Sequence, residues 1–328
     1  MSEAGLRWPN LFLVGAAKAG TTSLYRELAR HPAIYMSPMK EPHFFSQIEP
    51  APGRKAFFPH VTGEDEYLAL FEGATTEELL GEASTSYLWD GQAAERIKRV
   101  VPEARILIML RDPVDRAYSQ YWNDVREGIE RRTFLDALVE EQQRSGPGAW
   151  GVSSLHIDCG RYADQVERYL DRFGARVQVL FFEDFAGHEA SAIADVHSFL
   201  GLGSPAAGAA PRRMNPASLP RNRLSAALLA SGKLRRVVRA TVPRPLRSRL
   251  RAGLLKRAAP PPMDPAARAL LMEIYRPEVG RLAELLRRPV PWQPQMDGSS
   301  GPGLGKEGPG LDEIPVRAGG KLPPGGLP

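Results

Sequence analysis

The chain has 328 residues and a single cysteine. Cys159 therefore has no partner for an internal disulfide and cannot assemble a thiolate zinc or iron–sulfur site alone. Histidine is also scarce, with six scattered through the sequence and no His/Cys cluster at metal-ligating spacing. No apolar run approaches the roughly 18–20 residues that a membrane-crossing helix needs. The start, Met1 to Arg7, lacks the apolar core of a signal peptide, and the first apolar run, Leu11 to Val14, stops at Gly15. These absences predict a reducing compartment, with the cytoplasm as the expected location and no transmembrane segment. Acidic residues are missing altogether from Arg221 to Arg257, which carries twelve Lys/Arg interleaved with Leu, Ala and Val. The plain reading of 221–257 is a basic helical segment with a solvated face. The functional reading is weak contact with anionic surfaces or polymers. From Pro294 to Pro328 there is little apolar content and no helical or strand period, so a disordered Pro/Gly-rich tail is expected there.

What is present describes a globular protein: 43% of residues are hydrophobic, and 43 Lys+Arg against 38 Asp+Glu give 43 − 38 = +5. Asn10–Gly15, Ile106–Leu110 and Val177–Phe182 are short apolar runs bounded by turn signals and read as buried strands; Leu79–Ser84 is a further candidate. Between them, Leu24, Tyr25 and Leu28 share one helical face, Pro113 suits the first turn of a helix running towards Arg126, and Tyr162, Val166, Tyr169 and Leu170 fall on one side of another helix. A helix ending near Phe199-Leu200-Gly201 follows the third strand. Alternating strands and helices predict an α/β fold: a central parallel sheet flanked by helices, in one domain over residues 1–293, with ligands outside the carboxyl ends of the strands.

The loop after the first strand, Gly15-Ala16-Ala17-Lys18-Ala19-Gly20-Thr21-Thr22, has the glycine spacing of a Walker A loop, with Thr21 where that motif places its lysine and the lysine moved to Lys18. A strand, a small-residue loop and a helix N-terminus together surround an anion with backbone N–H groups, while Lys18 adds charge and Thr21, Thr22 and Ser23 add hydroxyl donors. The alternative is a tight turn with Thr21 or Thr22 as N-cap. At the carboxyl end of Ile106–Leu110, Arg111-Asp112-Pro113 opens a helix on which Ser119 lies two turns along. Arg111 and Ser119 could share an anion in the crevice that Lys18 faces, or Arg111 could pair with a carboxylate. Lys40-Glu41-Pro42-His43-Phe44-Phe45 holds acid/base groups before two aromatics, and in an extended segment Glu41 and His43 point to the same side. Taken alone, such a cluster also reads as a surface loop. Cys159 has no visible adjacent base and reads as a packing residue, not a nucleophile.

Together these residues resemble the sulfotransferase family that uses 3'-phosphoadenosine 5'-phosphosulfate (PAPS), in the branch that includes the heparan sulfate sulfotransferases. Lys18 to Leu24 is similar to the family's 5'-phosphosulfate loop, Arg111 to Ser119 to its 3'-phosphate motif, and Lys40 to Phe45 to the segment that supplies the base in that branch. Gly160-Arg161-Tyr162, Glu183-Asp184 and Phe199 to Leu202 match later landmarks. Pro211 to Pro216 resembles the late cofactor-binding loop, which adds Arg212 and Arg213 to the expected donor site. The resemblance implies a P-loop-like three-layer fold and a sulfuryl donor held by Lys18, Ala19, Gly20, Thr21, Thr22, Ser23, Arg111 and Ser119. Lys18 would stand against the leaving oxygen, Glu41 would act as general base, and His43 would sit behind it or on the acceptor side. Sulfuryl transfer needs positioning and charge stabilisation more than covalent chemistry, so no metal is expected.

The chain departs from the branch in two ways. A lysine that often follows the glutamate of the Gly81–Tyr87 segment is here Ala83, and neither an anchor nor a cysteine pair is visible. The expected partner is accordingly a glycan, glycolipid or small-molecule acceptor, with nucleic acid not among the expected partners. The competing readings are a P-loop nucleotide-dependent kinase and a non-enzymatic binder of anionic polymers through 221–257.

Overall fold

The computed structural model describes residues 7–46, 60–127, 129–143, 155–203, 218–220, 255–257 and 260–296. Its centre is made by the apolar runs. Strands β1 (Leu11–Gly15), β2 (Ile34–Met36), β3 (Leu79–Ala83), β4 (Arg105–Leu110) and β5 (Val177–Phe181) pair in the order β2-β3-β1-β4-β5, every pair parallel. All five residues of β1 are buried, as are Ile106 to Leu110, which is the pattern of strands covered on both faces. β1 lies between β3 and β4, so the chain leaves it to one side through β2 and β3 and then crosses to β4 on the other. In such a sheet ligands bind where the strand order reverses, beyond the carboxyl ends.

Helices cover this sheet: α1 (Thr21–Leu28), α2 (Glu64–Leu68), α3 (Ser86–Trp89), α4 (Ala93–Val100), α5 (Pro113–Glu127), α6 (Phe134–Gln143), α7 (Tyr162–Phe173), α8 (Phe182–Gly187) and α9 (Glu189–Phe199). The periodicities found in the sequence mark the buried faces. Leu24 and Leu28 of α1 and Val166, Tyr169 and Phe173 of α7 are in the core, and the Tyr169 hydroxyl donates to the Tyr87 carbonyl at 2.8 Å. Beyond them lie β6 (Ser218–Pro220), β7 (Leu255–Arg257), α10 (Pro265–Leu286) and α11 (Gln293–Met296). The architecture is the expected α/β fold with a parallel sheet flanked by helices. Among the described residues no helix is long and apolar enough to cross a membrane.

Two expectations are corrected. The basic segment is not helical at its end: Leu255–Arg257 is a strand paired antiparallel with Ser218–Pro220, so its backbone groups join a ladder where a second chain segment lies alongside. Residues 221–254, the rest of the basic segment before β7, lie outside the described residues. The expected tail is corrected at its start, where residues 294–296 belong to α11. Pro294 sits in the first turn of α11, where a missing N–H costs nothing, and Met296 is buried, its carbonyl accepting from Arg276 Nε at 2.9 Å. Just before it, Trp292 is 1% exposed, with its ring edge-on to Phe181 at 5.1 Å. Within the expected tail Met296 is an apolar anchor, and Trp292 anchors the end of the expected domain. Residues 297–328 lie outside the described residues. Trp292→Ala is expected to destabilise the fold by roughly 3–5 kcal/mol, as for other buried large-to-small changes, seen as a lower midpoint in urea unfolding.

Candidate active site

Loops leave the carboxyl ends of β1, β3 and β4, and the segment after β2 runs along the end of β3. The β1 loop turns into α1 through Gly20, which is the N-cap with φ 90° and contributes no side chain; the Thr21 or Thr22 cap of the alternative reading is absent. Gly20 is required by φ and by space, since a Cβ would meet the Phe182 ring at 2.7 Å. Lys18 also takes a left-handed backbone, φ 68°, and its ammonium donates to Asn123 Oδ1 of α5 at 3.2 Å. Arg126 Nη2 donates to the same oxygen at 2.6 Å, so two cations converge on one neutral acceptor. Burial, with the Arg126 charge next, pushes the Lys18 ammonium down to about 8, against opposing pulls from Asp124, Glu41 and Glu127. Ala19 and Thr21 are buried, while Thr22 and Ser23 at the start of α1 are half-buried.

After β4, Arg111 donates through Nη1 to the Lys18 carbonyl at 3.3 Å, which ties the two loops together. Its guanidinium lies over the Phe182 ring at 5.0 Å and 4.0 Å from Asp115, and its carbonyl accepts from the Tyr162 hydroxyl at 3.0 Å. Asp112 is a helix cap: its Oδ1 accepts from Val114 N at 2.8 Å and Asp115 N at 3.3 Å, and burial with the nearby Asp115 raises its carboxyl to about 6. Ser119 lies on α5, half-buried, two turns from Arg111.

The segment after β2 is fastened to the end of β3. Glu41 N donates to the Ala83 carbonyl at 2.9 Å and His43 N to Ser84 Oγ at 2.9 Å. Phe45 is buried against Phe12 and Tyr87, its carbonyl held by Arg96 at 2.8 Å. Glu41 and His43 do converge, with His43 Nε2 3.9 Å from Glu41 Oε2, but not by extended geometry. Both are left-handed, φ 65° and 58°, and their N–H groups are held by β3 and the loop after it. Glu41 is also ion-paired with Lys40. His43 is buried, which lowers its imidazole to about 4, and its Nδ1 lies 2.7 Å from Ser86 Oγ. Behind Glu41, the wholly buried Glu82 accepts from the Tyr67 hydroxyl at 2.9 Å, and burial raises its carboxyl to about 7.

Of the expected site residues, Arg111 is hydrogen-bonded to the Lys18 carbonyl, Ala19 to Ser23 continue the Lys18 loop into α1, Glu41 acts electrostatically on Lys18 and lies 3.9 Å from His43, and Ser119 lies on the helix that begins beyond Arg111. Arg212 and Arg213 lie outside the described residues. Cys159 is buried, and burial pushes its thiol up to about 12, the behaviour of a packing residue. Sequence reading missed Asn123, Arg126, Phe182, Ser46 and Ser86. For Arg126 a signal existed, as the end of the helix that Pro113 begins; the others carry none without the fold.

A cationic cradle at a helix start, an arginine beyond the next strand and a carboxylate–imidazole pair across from them suit transfer of an anionic group to an acceptor deprotonated in place. A sequence model of the Sulfotransferase family matches residues 9–205. The crystal structure of a sulfotransferase from Alicyclobacillus acidocaldarius is 32% identical, superposes with a TM-score of 0.65, and covers 87% of this chain and 98% of its own. Bifunctional heparan sulfate N-deacetylase/N-sulfotransferase 3 of Mus musculus is 28% identical over 295 residues, 86% of this chain and 30% of its own length. Carbohydrate sulfotransferase 15 of Rattus norvegicus is 31% identical over 250 residues, 60% of this chain and 44% of its own length. The chain thus spans less than half the length of these two curated relatives.

Proposed function

This chain belongs to the sulfotransferase family, and from that membership we propose that it transfers a sulfuryl group from PAPS to a hydroxyl or amine of a glycan, glycolipid or small molecule. One observation carries the reading. Among the described residues, four non-glycine residues have a left-handed backbone, and Lys18, Glu41 and His43 are three of them. Such conformations cost of order 1–3 kcal/mol each and persist where surrounding structure imposes them, commonly at functional sites. That Lys18 and Glu41 act on each other electrostatically from two separate loops, and Glu41 lies 3.9 Å from His43, supports a built site over a coincidence of turns.

Each group has a chemical task. Gly20 to Ser23 at the start of α1, with their N–H and hydroxyl donors, suit the 5'-phosphate. Arg111, seated on Phe182, suits the 3'-phosphate as a planar donor. Glu41 takes the proton of the acceptor as its oxygen or nitrogen forms the new bond to sulfur. The bond from sulfur to the bridging oxygen breaks, and the charge left on the 5'-phosphate is met by Lys18. The Asn123 oxygen accepts from both Lys18 and Arg126, and this pairing of two positive groups supports the role given to Lys18.

The direct test supplies the full chain with PAPS and a panel of hydroxyl and amine acceptors and follows release of 3'-phosphoadenosine 5'-phosphate. Magnesium-dependent ATP turnover without sulfate transfer would support the kinase instead. Arg111→Ala is expected to weaken binding of 3'-phosphoadenosine 5'-phosphate by roughly 10–100-fold, the worth of a charged hydrogen-bonded contact, and to change ADP binding much less. Calorimetry with both nucleotides checks this, and equal losses would remove Arg111 from the 3'-phosphate.

A further inference from the structure

Behind the candidate base lies a line of buried hydroxyls. Ser46 Oγ and Ser86 Oγ are 2.6 Å apart, and Ser86 Oγ is 2.7 Å from His43 Nδ1. Ser86 is wholly buried, Ser46 is 2% exposed and His43 is 5% exposed, so these groups rely on one another for hydrogen bonds. They come from distant stretches: His43 and Ser46 from the segment after β2, Ser86 from the first turn of α3. On its other side His43 presents Nε2 towards Glu41 Oε2, 3.9 Å away.

We infer that Ser86, backed by Ser46, is a positioning residue that fixes His43 as the neutral tautomer with its proton on Nε2, facing Glu41. The direction follows from donor and acceptor counts. A neutral imidazole has one N–H and one lone pair, and the partner of one nitrogen sets the state of the other. A lone pair on Nε2 opposite the Glu41 carboxylate is repulsive, whereas an N–H there is attractive. Nδ1 is then the acceptor, Ser86 donates to it, and Ser86 Oγ accepts from Ser46. Burial disfavours the imidazolium, in keeping with its lowered proton affinity. The chain Ser46 to Ser86 to His43 to Glu41 thus has one consistent polarity. Its effect is to turn an N–H towards Glu41 on the Oε2 side, while Lys40 is paired with Oε1. Among the described residues, other charged or titratable groups that act on this pair include His60 on His43, and Lys18 and Glu82 with Glu41.

This inference rests on Glu41 being the base, and its test separates the two. In the full chain labelled with 15N-histidine, long-range proton–nitrogen correlation reads the tautomer of His43, its signal identified by loss in His43→Asn. The expected result at neutral pH is the Nε2–H form in the parent and a shift towards Nδ1–H in Ser86→Ala. In turnover, Ser86→Ala is expected to lower kcat roughly 10-fold and to move the acidic limb of its pH profile upwards by about one unit, with KM for PAPS unchanged. Ser86→Thr, which keeps the hydroxyl, is expected to restore the profile, and Ser46→Ala to give a smaller change in the same direction. An Nδ1–H or imidazolium form in the parent would overturn the inference, as would an unaltered tautomer and pH profile in Ser86→Ala. Should Ser86→Ala fail to fold, the parent spectrum and Ser46→Ala decide. If Glu41→Gln leaves turnover intact while His43 is found as Nε2–H, the base assignment fails and the tautomer assignment stands.

Discussion

Glu41→Gln is expected to leave the affinity for 3'-phosphoadenosine 5'-phosphate unchanged while lowering sulfate transfer by roughly 10²–10⁴, the usual worth of a general base. The substitution is close to isosteric, and the backbone that holds residue 41 is fixed from outside by the Ala83 carbonyl, so the left-handed turn has no reason to relax. What changes is the ability to accept a proton from the acceptor as it attacks. In the proposed site donor binding belongs to other loops, those after β1 and β4, and is expected to report their integrity. Calorimetry of nucleotide binding beside turnover assays separates these contributions. Unchanged turnover would remove Glu41 from the role and leave His43 as the candidate, although a buried imidazole lowered to about 4 is a weak base at neutral pH.

The fold was legible where residues declare their own environment. Leu11 to Val14 and Ile106 to Leu110 are apolar without alternation, which only a strand covered on both faces needs, and each is followed by the small or charged residues of a loop. The turn from β1 into α1 was legible as well, since Gly15 and Gly20 punctuate the loop between a buried strand and a helical period, and Gly20 is the N-cap. The meeting of Glu41 with His43 was expected from an alternation that the backbone does not follow; hydrogen bonds from β3 and Ser84 bring them together in a left-handed turn. Partners recruited across the sheet left no local sign. Asn123 reaches Lys18 from 105 positions away, and Ser86 reaches His43 from 43. Phe182 looked like the end of a strand, yet it opens α8 and lies under the Arg111 guanidinium, against the space a side chain at Gly20 would need. Such roles depend on strand order, which one-dimensional periodicity does not encode.

Strand order also makes Lys18 unusual. Held on the β1 loop beside Arg126, its ammonium is pushed from 10.5 down to about 8, chiefly by burial. In the unfolded chain this lysine keeps its proton up to 10.5, so between pH 8 and 10.5 the unfolded state binds more protons and stability rises with pH across that window. Below pH 8 the fold bears the cost of a charged ammonium that is half-buried and poorly solvated. A bound 5'-phosphate reverses the balance by supplying the opposite charge, so donor affinity is expected to fall as pH rises through about 8. Lys18→Ala is therefore expected to weaken donor binding, to abolish that alkaline limb, and to lower turnover by roughly 10²–10³, as when one charge-stabilising donor of a transition state is removed. The same variant is expected to melt no lower than the parent at pH 7, because a poorly solvated cation has been removed and only its bond to Asn123 lost. Thermal melts, calorimetry across pH 6–10 and turnover assays together make the test. An alkaline limb that persisted in Lys18→Ala would assign it to another group and leave Lys18 as scaffold.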